Sequence, residues 1–335
     1  MRGAAGFLTL ILGFGCAMAN ATTLDSIRAR GALNCGVSEG VPGFSFPENA
    51  NWSGVDVDLC RAIAAAIFDD ASRVTFRALS AKDRFTALEA GEVDLLARNS
   101  TFTLSRNTAL GLEFPVINFY DGQGFLVKKS LNVKSVAELD GAVICTQAGT
   151  TTELNVGDYF RIHHLKFDLR VLPTLETTED AFLKGRCTAL TDDHSALAAE
   201  RSRFKAPNDY MILPETISKE PLAPAIKAGD SQWAEIVRWT FYAMVAAEEL
   251  DVSQKNIDQM KLSPNPEVRR LLGQDEDLGQ GLGLTPDWAY RIIHRVGNYG
   301  ESFERNLGAT SGLGMARGLN ALWKDGGLQY APPIR

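Results

Sequence analysis

The sequence predicts an α/β fold of two lobes joined by two crossing strands, on three observations. Strand-like and helical runs alternate over residues 32–97, and the alternation resumes over residues 142–191. Between and after these stretches lie extended segments, residues 122–129 and the proline-rich residues 212–226, which read as a crossing and a return. The 335 residues, 45% of them hydrophobic, suffice to bury two cores.

The elements follow in order. Residues 1–21 carry Arg2, an apolar run from Phe7 to Ile11 extended through Met18, and two overlapping sites, Ala17-Met18-Ala19 and Ala19-Asn20-Ala21. That is the layout of a secretory signal peptide cleaved between Ala19 and Ala21, which places the mature protein in the periplasm. Cys16 follows Gly13, Phe14 and Gly15 rather than an aliphatic and small run, so soluble export is expected over a lipid anchor. No later stretch reaches about 18 apolar residues, so none reads as a membrane span. The net charge of -7 comes without a basic run, which argues against nucleic acid and anionic membrane as partners.

Residues 23–31 read as a short helix and residues 32–37 as a strand. The loop after it contains Gly36, Val37, Ser38, Glu39 and Gly40, which match the G-x-S-x-G elbow of serine hydrolases. An elbow needs a helix directly after the serine. Pro42, Gly43, Pro47 and the polar residues 48–53 forbid one before about Gly54, so no nucleophile is expected at Ser38. Leu59, Ile63 and Ile67 mark a helix over residues 55–68, residues 73–79 a strand, Ser80 and Asp83 a helix cap, and residues 93–97 the next strand.

In the second unit residues 142–145 form a strand, and Thr150 with Glu153 forms a capping box opening a helix. Strands at 169–172 and 188–191 flank a helix at 176–184. A long helix spans residues 231–249, and from residue 263 the chain is mostly helical with glycine breaks. The lobes are expected as residues 22–124 with 218–335, and residues 125–217.

His163, His164, His194 and His294 show no metal spacing and no C-x-x-C pair occurs, so neither a metal nor a cofactor is expected. The distinctive polar stretch is "RNSTFTLSR", residues 98–106, after a strand end. Arg106 could grip a carboxylate in a fork, with backbone amides near Thr101 adding donors; a solvated arginine in a helix's first turn is the alternative. In "QAGTTTE" the helix amides near Thr151 and Thr152 could hold an anion, or the helix could simply be well capped. In "TALTDD" Asp192 and Asp193 end a strand, where a carboxylate could meet an ammonium.

The order "TLDSIRARGALNCGV", "GVDVDLCRAIA", "RFTALEAGEVDLLARNSTFTLSR", "ELDGAVICTQAGTTTEL" and "FLKGRCTALTDD" resembles the polar amino-acid-binding family of periplasmic solute receptors, solute-binding family 3. The likeness is greatest to the general L-amino-acid receptors of ABC importers, whose C-terminal extension residues 263–335 resemble. The resemblance implies a type II periplasmic binding protein fold, most simply a monomer, that delivers an amino acid to an inner-membrane ABC permease. It implies that Arg106 binds the α-carboxylate, helped by backbone near Thr101 and Thr151, and that Asp193 binds the α-amino group with the Asn99 carbonyl and Thr101 hydroxyl. Ser38 falls where many relatives have an acid. Val41, Phe44, Arg84 and Phe102 are candidate walls for the ligand side chain. A dehydratase-like enzyme on the same fold is the alternative, but it would need an acid or base aimed at a reacting atom, and none stands out. The four cysteines of the mature chain are expected to bridge within the lobes, Cys35 to Cys60 and Cys145 to Cys187.

Overall fold

The computed structural model describes residues 21–49 and 51–335. Residues 1–20, which hold Cys16 and nearly all of the expected signal peptide, lie outside the described residues. Among those described, no helix is long and apolar enough to cross a membrane.

The first lobe grows from a three-stranded parallel sheet with Leu33–Val37 between Val74–Ala78 and Leu95–Leu96. Leu33, Cys35, Val37, Leu95 and Leu96 are wholly buried, which drives the pairing. Helix Val55–Phe68 covers the sheet with Leu59 and Ile63, and a disulfide joins Cys35 to Cys60. Its start requires glycine: Gly54 has φ 130°, and a Cβ there would lie 2.0 Å from the Phe44 carbonyl oxygen. The predicted first-lobe elements stand within a residue or two of their expected bounds, except the helix expected to be capped by Ser80: it spans Arg84–Glu89 with Asp83 at its N-cap, because residues 81–83 form a turn. The polar run after Pro42 holds a short hairpin, Phe46–Glu48 with Asn51–Ser53, which the sequence did not suggest.

The second lobe is a five-stranded sheet in the order Phe167–Leu172, Ala142–Gln147, Ala189–Asp193, Gln123–Lys128 and Tyr210–Ile212. The first three are parallel, and Gln123–Lys128 runs antiparallel to both neighbours. Helices Thr151–Ile162, Leu175–Leu183 and His194–Ser202 flank this sheet, and a disulfide joins Cys145 to Cys187. The run expected to cross between lobes is thus a central strand of the second sheet, because Gln123 to Val127 are buried on both faces. The crossing lies just before it. Phe119–Asp121 pairs antiparallel with Glu220–Leu222, placing Asp121 opposite Glu220.

Helix Ser231–Glu249 buries Trp233, Ile236 and Val237 against the first lobe's core. The C-terminal segment adds helices Trp288–Arg295 and Tyr299–Asn306 to the same core. Buried Asp58 pins the second of them by accepting hydrogen bonds from Ser302 Oγ (2.7 Å), Arg305 Nη2 (2.6 Å) and Asn306 Nδ2 (2.7 Å). Phe303, Leu307 and Leu313 of this segment also meet Ala199 and Leu175 of the second lobe in one apolar cluster with Val41, Phe44 and Phe119.

Candidate functional site

A cleft between the lobes is lined by Ser38, Asn99 and Thr101 from the first lobe and by Thr151 and Asp193 from the second. Each comes from the carboxyl end of a strand, the loop beyond it or, for Thr151, the start of the helix that follows, where open α/β sheets expose backbone amides. Ser38 is 1% exposed, its Oγ 2.5 Å from Ser45 Oγ, and its amide donates to the same hydroxyl at 2.9 Å. Among the described residues the Ser38 hydroxyl is thus hydrogen-bonded to Ser45 and not to a basic side chain. Asn99 adopts φ 33°, and its amide donates to Asp56 Oδ2 at 2.8 Å. Burial pushes the Asp56 carboxyl up to about 6. Asp56, in the first turn of helix Val55–Phe68, was not singled out in the sequence, although the "GVDVDL" run holds it.

Arg106 does not line the cleft itself. It is buried one layer behind Thr101, donating from Nη1 to the Thr101 carbonyl at 2.8 Å, with its guanidinium 5.1 Å from the Phe85 ring centre. Arg84 lies over the same ring at 4.7 Å, and Arg84 and Arg98 both line the cleft. Burial first, then repulsion from Arg98 and Arg106, holds the Arg84 guanidinium well below its ordinary value, and its Nε has no hydrogen-bond partner. Three buried guanidinia crowded together create a strong preference for an anion. Of the other wall candidates, Val41 lines the cleft. Phe44 turns inward, edge-on to Phe119 at 5.1 Å, and Phe102 stacks on Phe114 at 5.0 Å.

The opposite wall is acidic. Burial pushes Asp192 up to about 6, and burial with Asp121, Asp192 and Glu220 nearby drives Asp193 well above the usual carboxylate range. Glu220, 1% exposed on the return crossing, joins the lobes. It accepts from Thr101 Oγ1 (2.6 Å), Thr151 Oγ1 (2.9 Å), Asn155 Nδ2 (2.7 Å) and Ser218 Oγ (2.6 Å). Nothing in the local sequence around Glu220 signals this, because its partners are up to 119 residues away.

The capping box expected at Thr150 does not form. Its hydroxyl donates to the Gln147 carbonyl at 2.7 Å, and no side chain caps the helix, so the first amides of helix Thr151–Ile162 keep their donors at the cleft.

The family model for bacterial extracellular solute-binding proteins, family 3, matches residues 33–257. The chain belongs to that family. It is 52% identical over 328 residues to the general L-amino acid-binding periplasmic protein of Rhizobium johnstonii, covering 97% of this chain and 96% of the relative. It is 49% identical to the glutamate/glutamine/aspartate/asparagine-binding protein of Rhodobacter capsulatus, covering 95% and 94%. A solved ABC transporter periplasmic binding protein from Brucella ovis with glutathione bound matches with a TM-score of 0.93 and 51% identity, covering 94% of this chain and all of that one. As a member of the family this chain shares its two-lobed type II fold.

Proposed function

We propose that the protein is an extracytoplasmic receptor that closes on the α-carboxylate and α-ammonium groups of an L-amino acid and delivers it to an ABC permease. The observation that carries this reading is charge placement: buried Arg84 and Arg98 of the first lobe, with Arg106 behind them, stand across one cleft from buried acids of the second. A zwitterion satisfies both walls at once. Arg106, with Arg84 beside it, holds the carboxylate, and amides at Thr101 and at the uncapped helix start near Thr151 complete its shell. Asp193 takes the ammonium with the Asn99 carbonyl. The Thr101 hydroxyl, whose proton goes to Glu220, is left as an acceptor toward the ammonium. Ser38 lies beside the ligand.

The export leader at residues 1–21, a monomeric state, and the lobe division expected as residues 22–124 with 218–335 against 125–217 belong to the same reading, with the first boundary moved ahead of Gln123 because strand Gln123–Lys128 pairs within the second sheet. So does action as a receptor rather than as a dehydratase-like enzyme. Relatives spanning nearly the whole chain are named as binding proteins. Glutathione, which carries the free α-amino and α-carboxylate of its glutamyl residue, fits the same two walls.

A thermal-shift screen of the twenty L-amino acids and glutathione tests the reading, because a ligand at 100 times its Kd stabilises by about 2.7 kcal/mol. Stabilisation by many side-chain classes is expected, with the ligand recovered unchanged. No response to any of them, or a converted product, contradicts it.

A further inference from the structure

Glu200 is 1% exposed, lines the cleft, and neither of its carboxylate oxygens has a hydrogen-bond partner. It stands on helix His194–Ser202, in a stripe with Asp193 at the N-cap and Ala196 three residues on, both of which also line the cleft. Positions i, i+3 and i+7 share one helix face, and seven residues span about 10 Å of axis. A ligand held by its α-ammonium at Asp193 therefore has Glu200 further along the same wall, past the small side chain of Ala196. An extended lysine side chain places its nitrogen about 6 Å from its own Cα, and the two acidic side chains make up the remaining distance.

The charges around Glu200 favour a cation. Asp192 and Glu179 both act on it. The opposing Arg203 already pairs with Glu179. Burial, with these two acids, drives the Glu200 carboxyl well above its usual range. A buried acid without a donor is costly in either protonation state until something fills its bonds.

We propose that Glu200 is a specificity-determining residue that closes the far end of the ligand pocket and accepts hydrogen bonds from an ammonium or guanidinium at the end of a long ligand side chain. This rests on the amino-acid receptor reading, since the α-ammonium at Asp193 sets the reach.

Titration calorimetry on the mature protein with lysine, norleucine and serine tests it. Norleucine matches lysine in length without the terminal nitrogen, and serine cannot reach Glu200. Wild-type protein should bind lysine at least tenfold tighter than norleucine. Glu200→Gln should lose at least tenfold for lysine while serine stays within twofold. Lysine binding should also release more protons than serine binding, read as a larger dependence of its heat on buffer ionisation enthalpy, and Glu200→Gln should remove that difference. Equal affinity for lysine and norleucine, or an equal loss for lysine and serine in the variant, overturns the assignment while leaving the receptor reading intact. Failure of wild-type protein to bind serine or any other amino acid removes that reading and the assignment with it.

Discussion

Arg106 spends one donor on the Thr101 carbonyl and keeps the rest of its fork behind the cleft, while Arg84 and Arg98 stand at the lining. If the fork holds the α-carboxylate, Arg106→Ala strands a desolvated charge, a loss of about 2 to 5 kcal/mol. Calorimetry should then show roughly 30-fold to 1,000-fold weaker binding for every amino acid, whatever its side chain. Arg106→Lys should recover only part of this, since an ammonium cannot reproduce the fork. A uniform loss in Arg84→Ala with Arg106→Ala unaffected moves the carboxylate to the lining arginine. The sequence singles out Arg106 and Asp193 because each sits in a polar stretch near a strand's end, and the structure places Asp193 at the cleft and Arg106 behind it. Arg98 opens the same stretch, yet its burial and its bond to the Leu79 carbonyl at 2.9 Å depend on a turn 19 residues earlier. Periodicity carries no information about such a contact.

Among the elements, the return crossing Glu220–Leu222 ties the two lobes together beside the cleft. The Glu220 carboxylate satisfies donors from Thr101 in one lobe and from Thr151 and Asn155 in the other. Glu220→Ala leaves those donors unpaired in a buried joint and should destabilise the protein by about 2 to 4 kcal/mol. Amino-acid affinity should fall at least tenfold. Denaturant unfolding and calorimetry check both, and a stability change below about 0.5 kcal/mol would mean that water replaces the carboxylate without cost. Regular elements were legible where one face is apolar, as with Leu59 and Ile63 on helix Val55–Phe68. The run from Gln123 to Val127 was misplaced as the crossing because a strand buried on both faces lacks alternation. Thr150 and Glu153 have capping-box spacing, but the Thr150 hydroxyl is drawn to Gln147, and the sequence pattern cannot show that competition.

At the scale of the molecule, stacked buried acids give the ligand-free protein a defined pH response. Asp56 and Asp192 titrate near 6 and Asp121 near 7, all raised chiefly by burial above the ordinary 3.8. Between about pH 4 and 7 the folded chain binds more protons than the unfolded one, so stability should rise as pH falls through that window and decline as pH climbs toward 7. Thermal unfolding from pH 8 to pH 5 should show Tm increasing, and a flat profile would mean that these groups stay hydrated. Ligand affinity should run the other way. Protonated Asp193 cannot hold an ammonium, so binding should weaken with acidification and level off above the raised pKa of Asp193. The two walls also belong to different lobes, with Arg106 on one and Asp193 on the other, and only closure satisfies both ends of a zwitterion. Small-angle X-ray scattering of the mature protein with and without a saturating amino acid tests this most directly: the radius of gyration should fall on binding, and an unchanged value at saturation would contradict a cleft that closes on its ligand.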